Sequence, residues 1–393
     1  MVHLILFRFR VGIGGGGGDA VVGPARRSFE VPASLSINLR THDQEHHECD
    51  SETHQPSQPA KMPALYLTAP ISADPRLALS LAAQAPTFTT SQASSWWSSL
   101  PYPLTLFLNS ESQEKWTSYE NLFLACLRTG DFTTAYTCLE ALIARFGKTN
   151  DHILALQGLY QEATAQNTGQ LEEVMKAYDE VLREDPTIFS VRKRRAALLR
   201  SVGKAAEAIA DLTVLVDASP TDAEAWAELA DLCLGQGSLE QAVYCLEEVL
   251  LVIPNAWNMH ARLGEVVYMS AQKMEGGDQM KALAESMRRF CRSIELCDGY
   301  LRGFYGLRVT TGTLLEALQG AKKGQPTTSD PLAGDLAPPS VATVMKLNEL
   351  ATAKLAEIVR RGTAGEKGWD GYSEVELKAA KDLIDRDTQK IER

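Results

Sequence analysis

Residues 223–254 read AEAWAELADLCLGQGSLEQAVYCLEEVLLVIP, and the spacing within this stretch decides the fold. Counted from Ala223, Trp226 stands at position 4, Leu229 at 7, Ala230 at 8, Ala242 at 20, Leu246 at 24 and Pro254 at 32. Apolar residues recur at helical spacing on both sides of Gly237, so the stretch reads as two amphipathic helices joined by a tight turn. The same residue types return upstream at a fixed distance. Pro186, Pro220 and Pro254 are 34 residues apart, as are Ala208 and Ala242, Leu212 and Leu246, and Ala196 and Ala230. A two-helix unit of this length cannot bury its own apolar face alone, whereas stacked copies can.

This period, with a proline closing each unit, is the tetratricopeptide (TPR) pattern. Each residue type has a physical role. Small residues at positions 8 and 20 (Ala230, Ala242, Ala208) let the two helices of a hairpin approach closely. Large ones at 4, 7 and 24 (Trp226, Leu229, Leu246, Leu212) fill the space between hairpins. Pro220 and Pro254 end the second helices, because proline lacks an N–H and clashes with the preceding turn.

The pattern continues outward less faithfully. From Trp116, Tyr119 falls at position 4, Leu122 at 7, Ala135 at 20 and Leu139 at 24, with Gly130 and Asp131 at the turn. In the unit from Asp151 to Pro186, Gly158 and Tyr178 take positions 8 and 24 if about four extra residues enter the turn near 163–168. In the unit from Trp257, Gly264 fits position 8, while Phe290 arrives about ten residues late, after the insertion SAQKMEGGDQ at 270–279. Tyr305 and Gly306 mark a further half-unit. The expected fold is an all-α TPR solenoid of about five full repeats plus a partial sixth over 116–319.

Outside the solenoid the composition changes. Residues 1–61 hold five of the seven histidines and the glycine run Gly14 to Gly18, with no sustained period. They read as a disordered extension, or as an upstream extension of a gene model preceding Met62. Within 62–115, Asp74-Pro75 starts a short helix through Leu77, Leu79 and Leu81 that ends before Pro86. Trp96, Trp97, Tyr102, Leu104, Leu106 and Phe107 then form an apolar strip that packs on the array or docks a partner. Residues 320–340 are rich in Pro, Gly, Ser and Thr, as a flexible loop is. The stretch 341–393 holds two C-terminal capping helices. One is periodic in Val344, Leu347, Leu350, Leu355 and Ile358; the other opens on the capping box Ser373-x-x-Glu376.

Composition narrows the function. The 393 residues carry 39 basic and 50 acidic side chains, a net charge of −11, which disfavours nucleic acid and anionic membrane surfaces as partners. No apolar run is long enough for a transmembrane helix. The opening MVHLILFRFR is too short and too soon interrupted by Arg8 and Arg10 for a secretory signal. Seven cysteines without a C-x-x-C pair point to a reducing compartment.

No catalytic, cofactor-binding or metal constellation emerges. Gly12-x-Gly14-x-x-Gly17 lies in a glycine run without βαβ context. His46-His47-Glu48-Cys49 has no second ligand cluster. His152 and His260 stand alone. Cys126 and Cys138, like Cys233 and Cys245, fall at positions 11 and 23, where small buried hydrophobes belong. Arg192-Lys193-Arg194-Arg195 is the strongest charge run. It reads either as a solvated helix face or as a site for an acidic partner.

First-helix positions 2, 5, 9 and 12 line the concave face of a TPR array. Here they include Glu120, Leu124 and Leu127. The candidate partner-binding set is Lys193, Arg200, Asp231, Leu234, Glu265 and Tyr268. Position 9 reads Leu124, Ala197, Asp231 and Glu265, without the asparagine of chaperone-tail binders.

The runs YDEVLREDP (178–186), VRKRRAALLRSVGKAAEAIADL (191–212), AEAWAELADLCLGQGSLEQAVYCLEEVLLVIP (223–254) and SIELCDGYLRGFYGL (293–307) carry a more specific signal. Over Trp116 to Val309 the chain resembles the family of subunit 2 of the endoplasmic reticulum (ER) membrane protein complex. It departs from that pattern in the longer connections before Val174 and after Tyr268. The resemblance implies a cytosolic scaffold without catalysis of its own. Membrane-embedded and cytosolic subunits of the complex would be its partners, and it would lie peripherally on the cytosolic face of the ER. The complex so assembled would insert tail-anchored and multi-pass proteins. The alternative from the repeats alone is a soluble TPR adaptor of a chaperone, ubiquitin or RNA-processing assembly.

Overall fold

The computed structural model describes residues 78–86, 113–320 and 339–391, apart from 367 and 370. The expected disordered extension at 1–61, the apolar strip from Trp96 to Phe107 and nearly all of the loop at 320–340 lie outside the described residues.

Among the described residues every regular element is a helix. After a helical stretch at 78–86 come α1 (Gln113–Thr129), α2 (Phe132–Phe146), α3 (Asp151–Thr164), α4 (Thr168–Glu184), α5 (Phe189–Ser201) and α6 (Ala205–Ala218). Then follow α7 (Ala223–Gly235), α8 (Leu239–Val252), α9 (Trp257–Ala271), α10 (Gly276–Leu296), α11 (Leu301–Gly320), α12 (Val341–Ala364) and α13 (Glu374–Ile391). Successive pairs from α1/α2 to α9/α10 are five antiparallel TPR hairpins. No described helix is long and apolar enough to cross a membrane.

The hairpin turns follow from sequence. Gly130, Gly203 and Gly237 each adopt a positive φ (82°, 84° and 80°) between the helices of α1/α2, α5/α6 and α7/α8. A side chain would strain the backbone there. Asp131, Asn150, Asn167 and Asp222 cap α2, α3, α4 and α7 by accepting backbone N–H groups of the first turn.

Repeat positions 4, 7, 8, 20 and 24 form the core. Ala208, Leu212, Trp226, Leu229, Ala230, Ala242 and Leu246 belong to one buried cluster running from α5 to α9. Pro220 and Pro254 are themselves exposed, two residues past the ends of α6 and α8. Their carbonyls have a second use. Trp226 Nε1 donates to Pro220 O at 2.9 Å, and His260 Nε2 bonds Pro254 O at 2.9 Å. Arg192 Nη2 reaches Pro186 O at 3.4 Å. So position 4 recurs every 34 residues as a side chain with an N–H tip that ties the start of a hairpin to the preceding proline turn.

Where position 8 is glycine, an aromatic ring occupies the vacated volume. A Cβ on Gly158 would overlap the Tyr178 phenol, and a Cβ on Gly306 would overlap Phe290, which also lies against Gly264.

Both insertions differ from expectation. The turn between α3 and α4 is only residues 165–167, and the extra residues lengthen α4 to 17. Likewise SAQKMEGGDQ is not one long loop: Ser270 and Ala271 end α9, 272–275 form the turn, and the last four residues open α10, a helix of 21 residues against 14 in α8. Adding to a hydrogen-bonded helix costs less than ordering an irregular loop with unpaired backbone groups.

The ends close the array. Ala78, Leu81 and Ala85 pack into the core of the first hairpin, while Leu79, expected on the apolar face, is exposed. Asn348 of α12 bonds Thr311 Oγ1 at 2.8 Å mid-way along α11, and Tyr372, beyond the end of α12, donates to Gly299 O at 2.7 Å, before α11 begins. The helix α12 therefore runs antiparallel along α11, giving the sixth unit a second helix, and α13 packs on α12. Val344, Leu355 and Ile358 are buried, Leu347 is half-buried, and Leu350 is exposed. Glu376 departs from the capping box. It turns to Arg302 of α11 at 2.7 Å.

Candidate partner-binding face

The helix α5 sits between α3/α4 on one side and α6/α7 on the other, so its side chains meet packed neighbours nearly all round. This decides the fate of the Arg192–Arg195 run. Successive residues turn by about 100° along a helix, so four in a row address four directions. Arg192 pairs with Asp211 of α6 at 2.9 Å. Lys193 bridges Asp222 and Glu224 of the next hairpin at 2.8 and 2.7 Å. Arg195 joins Asp179 of α4 and Asp211 at 2.7 and 2.9 Å. Arg194 points inward and grips Glu162 of α3, whose other interaction is the Tyr178 hydroxyl at 2.5 Å.

The run is therefore neither a solvated face nor a free basic patch. It ties α3, α4, α6 and α7 together. Arg194 and Glu162 are both buried, a state tolerated only when a charge is paired. Burial, then the neighbouring Glu162 carboxylate, pushes the Tyr178 phenol far above its usual pKa, which keeps it a neutral donor.

The expected partner-binding residues share this fate. Burial opposes the Lys193 charge, but its hydrogen bonds to Asp222 and Glu224 outweigh burial and raise its pKa. Arg200 bonds Glu228 of α7 at 2.6 Å. Asp231 and Glu265 both hold Arg262, at 2.8 and 2.7 Å. Burial disfavours the Arg262 charge, but Glu265 and Asp231 together raise its pKa on balance.

Leu234 is half-buried against the central core. Tyr268 needs correction as a groove residue. It is only 8% exposed, and its ring lies in the core around α9 to α12 with its hydroxyl 3.2 Å from Thr313. Thus Lys193, Arg200 and Asp231 do share the first-helix side, but as links between consecutive repeats, while Glu265 holds the linking Arg262 from within α9. Leu127 is also buried, and Leu124 half-buried.

His152 of α3 bonds Glu120 of α1 at 3.0 Å, another link between first helices. That hydrogen bond raises the His152 pKa against the opposing effect of burial. A crevice of about 520 Å³ opens beside the pair, lined by Trp116, Arg145, Phe146 and Asn150 among others. His260 is buried, and desolvation lowers its pKa. Cys126, Cys138, Cys233 and Cys245 are buried free thiols at the small-residue positions. Burial pushes Cys126 and Cys245 up to about 12 and Cys138 to about 11.

Sequence reasoning missed the acidic halves of these pairs: Glu162, Asp211, Asp222 and Glu228. A signal was present, because each lies 16 to 32 residues from its cation, about the distance to an adjacent helix of the array.

A family model described as "EMC2 TPR-like repeat domain" matches residues 150–279, the part of the array that holds these links. "TPR repeat protein oca3" of Schizosaccharomyces pombe is 35% identical over 209 residues, 53% of this chain and 71% of that protein. "ER membrane protein complex subunit 2" of Xenopus tropicalis is 30% identical over 196 residues, 50% of this chain and 62% of that protein, just under two thirds. The protein of the same name from Saccharomyces cerevisiae is 23% identical over 190 residues, 47% of this chain and 65% of that protein.

Proposed function

Since the chain belongs to the TPR family that includes ER membrane protein complex subunit 2, we propose that it is a non-catalytic scaffold subunit of that complex. It sits on the cytosolic face of the ER membrane, held there by membrane-embedded subunits, and joins them to cytosolic ones. The assembled complex inserts tail-anchored and multi-pass proteins. The observation that carries this reading is the family match over residues 150–279, a span of helices that pack and pair with each other.

The geometry supports a scaffold in a specific way. Ion pairs between consecutive first helices fix the angle between hairpins, so the array presents a surface of set curvature. On the first-helix side a partner meets Leu234 and the outer edges of the half-exposed Asp231 and Glu265. Lys193 and Arg200 act there indirectly, by keeping neighbouring helices in register.

Fractionation tests the reading. The full chain should sediment with microsomes, be released by alkaline carbonate, and co-purify with membrane-embedded subunits in mild detergent. Recovery in the soluble fraction of cells that contain the whole complex would overturn it.

A further inference from the structure

The second helices of the central repeats differ from the first helices in one respect. Together α6 and α8 carry Glu207, Asp211, Asp217, Glu240, Glu247 and Glu248, and no lysine or arginine. Asp211 is consumed inside by Arg192 and Arg195. Glu207 meets Lys204, and Glu247 lies 3.8 Å from Arg289. Asp217, Glu240 and Glu248 form no ion pair with any described residue. The same surface exposes large apolar side chains: Leu251 at 74%, Tyr244 at 56% and Val214 at 53%.

These groups lie close together. Both α6 and α8 pack on α7, and the Tyr244 ring stands edge-on to Trp226 of α7 at 6.0 Å. The Glu248 carboxylate, one turn on along α8, raises the pKa of the exposed Tyr244 phenol, with a smaller push from Asp217 of α6. Tyr244 and Leu251 are seven residues apart, two turns along one face of α8, or about 10 Å. Unpaired acid thus rims an apolar strip on a helix face with no covering element among the described residues.

We propose that the α6–α8 face, formed by Val214, Asp217, Glu240, Tyr244, Glu248 and Leu251, docks a basic amphipathic helix of a partner protein. Its aliphatic residues cover Leu251, Tyr244 and Val214, while its lysines or arginines meet Asp217, Glu240 and Glu248. Charge selects this occupant. A second copy of the chain would bring the same acid to the contact, and an anionic lipid surface would be repelled. An arginine side chain would satisfy Glu248 and lie across the Tyr244 ring at once. The proposal stands apart from the ER assignment, since it needs only this surface.

The test uses the full chain and a synthetic amphipathic helix of roughly 18 residues, leucine on one face and lysine on the other, titrated at physiological salt. Three variants accompany the parent: Glu240→Lys with Glu248→Lys, Leu251→Ser alone, and a control on α4, Glu172→Lys with Glu173→Lys, which makes the same charge change on another exposed surface. Affinity should fall at least about tenfold for the α8 charge variant and several-fold for Leu251→Ser, with the control unchanged.

Equal loss in the control would mean general attraction to an acidic protein, and would overturn the proposal. So would unchanged binding in both α8 variants, or equal affinity for a peptide carrying glutamate in place of lysine. Self-association that Leu251→Ser abolishes would assign the face to a second copy instead. Leu251→Ser keeps the test decisive should the double charge change disturb folding. Failure of microsome sedimentation would bear on the ER reading and leave this result untouched.

Discussion

The two sides of the central repeats treat charge in opposite ways. On the first-helix side Lys193, Arg200, Asp231 and Glu265 are all engaged with a neighbouring helix or with a shared arginine. On the second-helix side Asp217, Glu240 and Glu248 have no cation among the described residues, and Leu251 and Tyr244 stand in solvent. The basic run that looks like a recognition stripe in the sequence is part of what holds the array together. The surface with charge left over is elsewhere, on helices that carry no basic residue.

The harshest way to break the comparison is beneath both sides. Ala242 is fully buried where the helices of the central hairpin meet. Ala242→Arg should cost more than about 4 kcal/mol, because a long charged side chain has neither space nor partner there. Trp226→Ala should cost about 3–5 kcal/mol through lost burial and the cavity left behind. Equilibrium denaturation of both variants checks this. A parent-like Ala242→Arg transition would mean that the repeat register is wrong.

The inward link comes next. Arg194→Ala leaves the Glu162 carboxylate buried and without its cation, and should destabilise by about 3–5 kcal/mol. Replacing the whole group with apolar residues (Arg194→Met, Glu162→Leu and Tyr178→Phe together) should be close to neutral. The contrast between the single and triple variants in urea unfolding separates a buried, coupled charge from a merely exposed one. Equal losses would show that packing, not charge, dominates the site.

Much of the packing side of this contrast is legible in the amino-acid sequence. The period of 34 specifies the hairpins, their turn glycines and the buried set from Ala208 to Leu246. Position 4 can be read further. Arg192, Trp226 and His260 all carry an N–H tip six residues after a proline, and all three use it on that proline's carbonyl. The insertions are not legible in this way, since a pattern of positions records how many residues are extra but not whether they extend a helix. The charge pairs are hidden for a different reason. Lys193 and Arg200 share a helix face, but what faces them comes from Asp222, Glu224 and Glu228 on the next repeat, and the distance between repeats is a tertiary quantity.

A smaller effect sharpens the first-helix side. Treated as exposed, Lys193→Glu with Arg200→Glu would change stability by under about 0.5 kcal/mol. The structure raises that expectation. The reversal gathers carboxylates from both helices and leaves Glu228, itself buried, without its cation. About 2 kcal/mol of destabilisation is expected, below the Arg194 effect because Lys193 and Arg200 retain solvent. Loss of partners from this variant therefore reports loosened repeats as readily as a lost contact. The informative experiment pairs it with Glu224→Lys and Glu228→Lys, which leaves the Asp222 cap of α7 in place. Recovery of the melting temperature by the compensating change assigns the residues to the array itself.

The smallest effect belongs to the second-helix side, and its smallness is what the comparison requires. Glu248→Lys with Leu251→Ser changes two side chains that project from α8. Leu251 is already 74% exposed and gives up little burial, and Glu248 forms no ion pair with any described residue. Adding a cation near Asp217 and Glu240 also relieves repulsion among carboxylates, which offsets part of that loss. Stability should stay within about 0.5 kcal/mol of the parent by urea unfolding. The same charge change at Glu228, on the first-helix side, should cost several times more, because Arg200 would then face a cation across a buried position. A loss near 2 kcal/mol in the α8 variant would mean that this face is packed within the chain, and the difference between the two sides would disappear.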